Sequence, residues 1–301
     1  MSEEQKEMLR GVLGGGSLDL QADVTTLRAA FEELMAQVPV PEDVRQKPVT
    51  VGGVSGIEVT IDGADSQNVI LYFHGGVYVI GSASASVALI SDLARRAGTR
   101  AVTLDYRLAP EHPFPAAVED ARKAYEGLLD EGYSPERIAL AGESAGGGLA
   151  VALLLALQER GVPLPSSAFL MSPYADLTLS GESLVSKEPL DLTLTQEGLR
   201  LRIADYVGRA DAADPLISPV FSDLSGLPPL LIQSGSHEIL LSDALRLTER
   251  AALADVEVSL DVVPGVPHVF QAFAALLDEA SAALERASSF LNHHYAARGA
   301  A

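Results

Sequence analysis

Residues 137–159 read RIALAGESAGGGLAVALLLALQE. The apolar residues at the start of this stretch are typical of a strand buried on both faces, and residues 145–159 are typical of a buried helix. Between them lies Gly142-Glu143-Ser144-Ala145-Gly146, a G-x-S-x-G sequence. A strand that turns directly into a helix here presents the serine hydroxyl on a sharp turn. A glycine-rich helix start that packs close to its sheet explains the same residues, so the motif alone leaves both interpretations open.

Short apolar runs and helical patterns alternate on both sides of this segment. We expect strands at residues 68–73, 99–106, 137–141, 168–171, 229–233 and 256–263, preceded by a hairpin at 49–62 around Gly52-Gly53. We expect helices at residues 86–97, 117–129, 145–159, 243–253 and 271–291. Alternation of strands and helices over about 230 residues predicts an α/β fold with a mostly parallel central sheet flanked by helices.

Two segments do not follow the alternation. Residues 1–45 have helical patterns before the first strand, and residues 181–214 interrupt the series. We predict that they pack together as a small helical cap over one end of the sheet. The predicted organisation is an N-terminal cap segment at 1–45 and a main domain at 46–301 that carries the cap insertion.

Composition excludes several classes of protein. The 301 residues are 48% hydrophobic and 21% charged, so wholesale disorder is excluded. Lys and Arg number 21 against 41 Asp and Glu, and the net charge of −20 disfavours nucleic acid as a partner and anionic molecules as substrates. The absence of Cys excludes a disulfide scaffold, a thiolate metal site and a Cys nucleophile.

No targeting or cofactor motif is visible either. The first ten residues, MSEEQKEMLR, lack the apolar core of a secretory signal, and the longest apolar stretch, near 146–157, is too short to span a bilayer. We therefore expect a cytoplasmic protein with no membrane span. No H-E-x-x-H or similar ligand spacing predicts a metal, and no G-x-G-x-x-G predicts a dinucleotide, so no cofactor is expected.

A second glycine motif, His74-Gly75-Gly76-Val77, ends an upstream predicted strand. Glycine allows the backbone to turn its amides toward a site, and a developing oxyanion needs two or three N–H donors aimed in advance. The amides of Gly75, Gly76 and Ala145 are the candidates. His74 would brace this loop. An ordinary exit from a strand into a turn is the alternative.

Four blocks together resemble the bacterial hormone-sensitive-lipase family of esterases, within the α/β-hydrolases. The blocks are His74-Gly75-Gly76 with Tyr78 and Gly81, the long segment DYRLAPEHPFPA at 105–116, Gly142–Gly147, and Gly235-x-x-Glu238-x-Leu240-x-x-Asp243 followed by His268. The resemblance covers residues 45–300. It implies the α/β-hydrolase fold, a short-acyl ester as the small-molecule substrate, and a homodimer.

The resemblance also implies the roles of individual residues, in the chain order Ser, acid, His. Ser144 would be the nucleophile, His268 the general base, and Glu238 the acid that orients His268. The family usually has Asp as the acid, and Asp243 lies five residues further on, so it is the alternative. The family also usually has Gly or Ala where this chain has Val77, which predicts a tighter oxyanion loop.

Several further residues have expected positions. Tyr78 and Tyr206 are candidates to line the substrate pocket. Arg107 and Glu143 would either pair beside the site or lie on the surface. A lactonase or amide hydrolase could use the same residues, and a non-catalytic ligand binder could share the fold. Such binders typically lack the histidine that this chain has at 268, which favours an enzyme.

Overall fold

The computed structural model describes residues 2–14, 18–63 and 67–298. Within these residues one eight-stranded sheet has the strand order β1-β2-β4-β3-β5-β6-β7-β8. The strands are β1 Val44–Val51, β2 Val54–Ile61, β3 Val69–Phe73, β4 Arg100–Leu104, β5 Ile138–Glu143, β6 Ser167–Met171, β7 Leu230–Gly235 and β8 Val258–Val263. Strand β2 is antiparallel to β1 and β4, and the other pairs are parallel. The sheet is therefore mostly parallel, as predicted.

Helices cover both faces of this sheet or precede it. They are α1 Glu3–Gly14, α2 Val24–Met35, α3 Val87–Ala97, α4 Ala116–Asp130, α5 Ala145–Glu159, α6 Ser183–Ser186, α7 Gln196–Val207, α8 Leu241–Leu253 and α9 Asp278–Arg298. In the described ranges, no helix is both long and apolar enough to cross a bilayer.

The alternation of side chains along β3 builds the core on the two faces of the sheet. Val69, Leu71 and Phe73 belong to the cluster that includes buried residues of α4, α5 and α8. Ile70 and Tyr72 belong to the cluster that includes buried residues of α3 and α9. Because both faces of the strand are covered, its five residues are all buried, which explains why its sequence is continuously apolar.

The predicted fold is confirmed, with one difference among the helices. The expected helix at 271–291 is two elements, a 3₁₀ turn at Phe270–Phe273 and α9, which begins at Asp278. Apolar residues continue through the connection, so hydrophobic periodicity did not reveal the break. The acidic Asp278 and Glu279 occupy the first turn of α9, where negative side chains favour a helix start.

The two segments outside the alternation lie against each other and against the main domain. Gly198 of α7 is so close to Leu20 that a Cβ at residue 198 would lie 2.7 Å from the Leu20 Cβ. From α2, Arg28 donates through Nε to the Val79 carbonyl at 2.9 Å and through Nη2 to the Ala109 carbonyl at 2.8 Å. Helix α2 is thus hydrogen-bonded to the loop that follows His74-Gly75-Gly76.

Candidate active site

Ser144 occupies the turn between β5 and α5. Its φ of 52° lies in the left-handed region, which costs free energy for any residue with a Cβ. Close packing explains the glycines beside it, since a Cβ at Gly142 would lie 2.3 Å from the Gly146 carbonyl oxygen. The backbone of Ser144 is held by its N–H to Met171 O and by its carbonyl, which accepts from Tyr174 N, both at 2.9 Å. The predicted strand–serine–helix turn is therefore present.

His268 and Glu238 are hydrogen-bonded to each other. His268 lies in the loop after β8 and Glu238 in the loop after β7, so both follow the carboxyl ends of parallel strands, as Ser144 does. The His268 Nδ1 and the Glu238 Oε2 are 2.6 Å apart, and the Glu238 side chain is fully buried. Histidine oriented by a carboxylate at Nδ1 keeps its Nε2 available as a proton acceptor.

Three further donors fix the other oxygen of Glu238. Its Oε1 accepts from Gly235 N at 2.8 Å, from Ser172 Oγ at 3.1 Å and from Ser234 Oγ. Ser172 Oγ also accepts from Val269 N at 3.0 Å, so one hydroxyl connects the carboxylate to the residue after His268. No local pattern identified Ser172 or Ser234 as partners of Glu238.

The environment raises the pKa of His268. Burial alone would lower it, but the hydrogen bond and the charge of Glu238, with smaller contributions from the charges of Asp191 and Glu143, bring the pKa above its ordinary 6.5. Asp191 belongs to the segment between β6 and β7, and its Oδ2 accepts from Ile239 N at 2.8 Å. That segment therefore contributes charge to the site.

Asp243, the alternative acid, binds backbone instead. Its Oδ2 accepts from the amides of Ala175 and Asp176, both at 2.8 Å, at the start of α8. Burial raises the pKa of Asp243 to about 8, although the two amides act against this shift. The contact with His268 Nδ1 is made by Glu238, so the geometry favours Glu238 over Asp243 as the acid.

The His74-Gly75-Gly76 loop follows β3 and lies beside the Ser144 turn. The N–H of Gly75 donates to Glu143 Oε1 at 3.0 Å, so it is not available to an oxyanion. This corrects the expectation that Gly75 is one of the donors. In the described part of the chain, the amides of Gly76, Val77 and Ala145 have no protein acceptor. Gly76, Val77 and Tyr78 all have positive φ, which shows how tightly this loop turns.

His74 stabilises the loop from inside. Its ring stacks on Tyr106 with centroids 4.2 Å apart, and its Nδ1 lies 2.6 Å from the Gly75 carbonyl oxygen. Burial lowers the pKa of His74 to about 4, so the ring is neutral at pH 7. These contacts fit the expectation that His74 braces the loop.

Of the two alternatives for Arg107 and Glu143, the pairing of these residues is wrong. Arg107 donates through Nε to Asp120 Oδ2 at 2.8 Å and through Nη2 to Glu119 Oε2 at 3.1 Å, both in α4. Glu143 instead accepts from Tyr72 Oη at 2.8 Å and from the Gly75 amide. Arg107 therefore attaches its loop to α4.

Tyr78 and Tyr206 form a buried stack. Their ring centroids are 3.8 Å apart and their planes differ by 6°. Tyr78 comes from the loop after β3 and Tyr206 from α7, so the stack joins the mid-chain insertion to the loop. Each side chain is about 1% exposed. Neither residue lines the cavity described next, so their role as pocket residues stays a prediction.

A cavity of about 600 Å³ lies between the N-terminal segment and the mid-chain insertion. Its walls include Leu13 and Leu20 from the first segment and Asp191, Leu192 and Leu194 from the second. One wall residue, Asp191, also accepts from the amide of Ile239, the residue after Glu238, but the walls do not include Ser144, Glu238 or His268. Its volume is in the range of ordinary small-molecule sites.

Comparisons with known proteins agree with this fold. A family model described as the alpha/beta hydrolase fold matches residues 70–272. An esterase of Acinetobacter venetianus is 40% identical over 88% of this chain and 87% of its own length, and an acetyl-hydrolase of Streptomyces hygroscopicus is 39% identical over 97% of each chain.

A crystal structure of an esterase from the bacterial hormone-sensitive-lipase family superimposes with a TM-score of 0.95 at 40% identity, covering 98% of this chain and 99% of that one. A hormone-sensitive lipase from a metagenome library superimposes with a TM-score of 0.92 at 39% identity, again over 98% and 99%. The match of sequence and fold over nearly the whole chain shows that this protein is a hydrolytic enzyme of the α/β-hydrolase family and belongs to its bacterial hormone-sensitive-lipase branch.

Proposed function

We propose that this enzyme hydrolyses short-acyl carboxylic esters with Ser144 as the nucleophile, His268 as the general base and Glu238 as the acid. The observation that carries the proposal is the hydrogen bond between Glu238 Oε2 and His268 Nδ1, in loops at the same edge of the sheet as the Ser144 turn. The amides of Gly76, Val77 and Ala145 are the proposed oxyanion donors, because no protein acceptor in the described residues occupies them.

The proposed reaction has two halves. Ser144 Oγ attacks the ester carbonyl carbon while His268 Nε2 takes its proton, and the free amides stabilise the oxyanion. His268 then donates the proton to the leaving alcohol, which gives an acyl-enzyme. Water attacks the acyl group with His268 again as the base, releasing the carboxylic acid and restoring Ser144. The N-terminus of α5 adds a favourable dipole at the oxyanion.

The names of the relatives support the proposed substrate class. One relative is named an acetyl-hydrolase, which supports a short acyl group, and others are named carboxylesterases. We propose that residues 1–45 and the insertion at 181–214 act as a cap whose cavity accepts part of the substrate. The predicted homodimer would pair through β8, which lies at one end of the sheet. Light-scattering measurement of the molar mass tests it.

A substrate panel tests the proposed activity. We expect the highest kcat/KM with p-nitrophenyl acetate or butyrate, lower values with the octanoate, and lower values again with γ-butyrolactone and p-nitroacetanilide. A higher kcat/KM for the lactone or the anilide would favour a lactonase or an amide hydrolase, which share the same tetrahedral intermediate. Inactivity on every compound would favour the non-catalytic binder.

The pH dependence follows from the raised pKa of His268. Only the neutral imidazole can accept the Ser144 proton, so kcat/KM should fall about tenfold per pH unit below the His268 pKa in the free enzyme. Because Glu238 and its neighbours bring this pKa above 6.5, we expect the acidic limb of the profile to have its midpoint above pH 6.5. Rates with p-nitrophenyl acetate between pH 5 and 9 measure it, and a midpoint below 6.5 would contradict the expected electrostatics.

A further inference from the structure

We propose that Glu143, the residue before the nucleophile, is a positioning residue that holds the oxyanion loop against the Ser144 turn. The proposal rests on the function proposed above, because it concerns the amides that would stabilise the oxyanion. It gives a role to a partly buried carboxylate that takes no part in the proposed proton transfers. Three observations support it: the two hydrogen bonds of Glu143, the contact between the loop and the turn, and the position of its charge.

The two hydrogen bonds connect separate parts of the molecule. Glu143 ends β5, and its Oε1 accepts from the Gly75 amide at 3.0 Å, while its Oε2 accepts from Tyr72 Oη at 2.8 Å. Tyr72 belongs to β3 and Gly75 to the loop that leaves it. The carboxylate at the end of β5 therefore joins that strand to β3 and to the loop that follows β3.

The register of the sheet creates this bridge. Phe73, the last residue of β3, pairs with Gly142 of β5, so His74, which follows β3, and Glu143, the last residue of β5, lie at the same level. A Cβ at Gly75 would lie 3.1 Å from Glu143 Cγ and 3.2 Å from Ser144 Cβ. The loop therefore lies in direct contact with the nucleophile's turn, and a shift of Gly75 would move the amide of the adjoining Gly76.

The charge of Glu143 has a second effect on the site. Burial raises the pKa of Glu143, while the Gly75 amide, the Tyr72 hydroxyl and the charge of His268 oppose this rise. The charged groups that raise the pKa of His268 are Glu238, Asp191 and Glu143, with Glu143 the smallest contributor. An ionised Glu143 would thus stabilise the imidazolium that forms when Ser144 loses its proton.

Two substitutions separate these effects. In Glu143→Ala both hydrogen bonds are lost, and we expect kcat for p-nitrophenyl acetate to fall by about 10- to 100-fold with a smaller change in KM, since one misplaced oxyanion donor costs up to about 10³-fold. In Glu143→Gln the amide oxygen accepts from Gly75 N and the amide nitrogen donates to Tyr72 Oη. We therefore expect kcat to recover to within about fivefold of the wild type.

The pH profile of Glu143→Gln tests the effect of the Glu143 charge. Glu143→Gln keeps the bridge but removes the negative charge, so the midpoint of the acidic limb should move down by about half a unit, a small shift in keeping with a minor contributor. A change in packing alone would leave this midpoint where it is in the wild type. An unchanged midpoint would overturn the electrostatic part of the proposal.

Hydrogen–deuterium exchange tests the bridge without relying on activity. We expect peptides covering residues 73–81 to exchange faster in Glu143→Ala and at the wild-type rate in Glu143→Gln. Glu159→Ala, at the exposed far end of α5, is the matched control and should change neither exchange nor kcat. Circular dichroism and the Tm establish that each variant is folded.

The outcomes are distinct. Slower turnover and faster loop exchange in Glu143→Ala, both recovered in Glu143→Gln, would support the positioning role. If Glu143→Ala matches Glu159→Ala in loop exchange and turnover, or if Glu143→Gln is as impaired as Glu143→Ala, the bridge is wrong. An inactive wild type would refute the proposed function instead, and the exchange data would still decide whether Glu143 holds the loop.

Discussion

Replacing Ser144 by alanine should lower kcat for p-nitrophenyl acetate by about 10⁴- to 10⁶-fold, because removing a serine nucleophile leaves only the contributions of binding and the oxyanion donors. The substitution removes one hydroxyl and keeps the Cβ, so the cost of the 52° φ at this position is unchanged. The protein should therefore fold normally, with a Tm close to that of the wild type. Burst kinetics provide a second readout, since the acyl-enzyme phase should disappear completely.

Ser289→Ala is the matched control for this variant. Ser289 is an exposed serine of α9 whose Oγ donates to the carbonyl of Glu285 in the same helix. We expect its kcat to equal that of the wild type. If Ser144→Ala retained more than about a hundredth of wild-type turnover while folded, Ser144 would not be the nucleophile, because loss of a true nucleophile costs several orders of magnitude.

Motifs in the sequence predicted the parts of the site that follow strands. Ser144, Glu238 and His268 each lie just beyond a predicted strand, and the carboxyl ends of parallel strands meet at one edge of a sheet. Their proximity therefore follows from strand order and needs no detailed knowledge of side-chain packing. The helices α3, α4, α5 and α8 were predicted for a similar local reason, since each has an apolar face or is apolar throughout.

What the sequence did not predict depends on register and on packing between distant segments. The contact of Glu143 with Gly75 exists because Phe73 pairs with Gly142, and a shift by one residue would direct Glu143 elsewhere. Tyr106 and Ala109, on either side of Arg107 in the sequence, bond to the carbonyls of His74 and Tyr78, so spacing did not indicate that Arg107 itself pairs with α4. The Tyr78–Tyr206 stack likewise depends on where α7 lies over the sheet.

The oxyanion donors illustrate the difference between a motif and its geometry. Glycine at positions 75 and 76 predicts a backbone that can turn its amides, but not which amide remains free. Because the carboxylate of Glu143 takes the N–H of Gly75, the proposed donors shift one residue along, to Gly76 and Val77. The valine at 77 is then no obstacle in itself, since the N–H of any residue except proline can donate.

Glu238→Gln should lower kcat by about 10³- to 10⁴-fold, because it reverses the hydrogen bond that orients His268. The oxygen of the glutamine must take the place of Oε1, since Gly235 N is a donor in every state of the protein. The amide nitrogen then faces His268 Nδ1 and donates to it. The imidazole proton is forced onto Nε2, the atom that must accept the proton of Ser144.

Asp243→Asn is the matched control, because it makes the same chemical change in the alternative acid. Its side-chain oxygen can still accept from the Ala175 and Asp176 amides, and with the pKa of Asp243 raised to about 8 the carboxyl is largely neutral at pH 7. We therefore expect kcat within about fivefold of the wild type, since no hydrogen bond to His268 is altered.

Both variants should be compared at pH 7 and checked for folding by Tm. If Asp243→Asn lost turnover while Glu238→Gln kept it, Asp243 would be the acid. The contact between Glu238 and His268 would then hold the loop without serving the reaction.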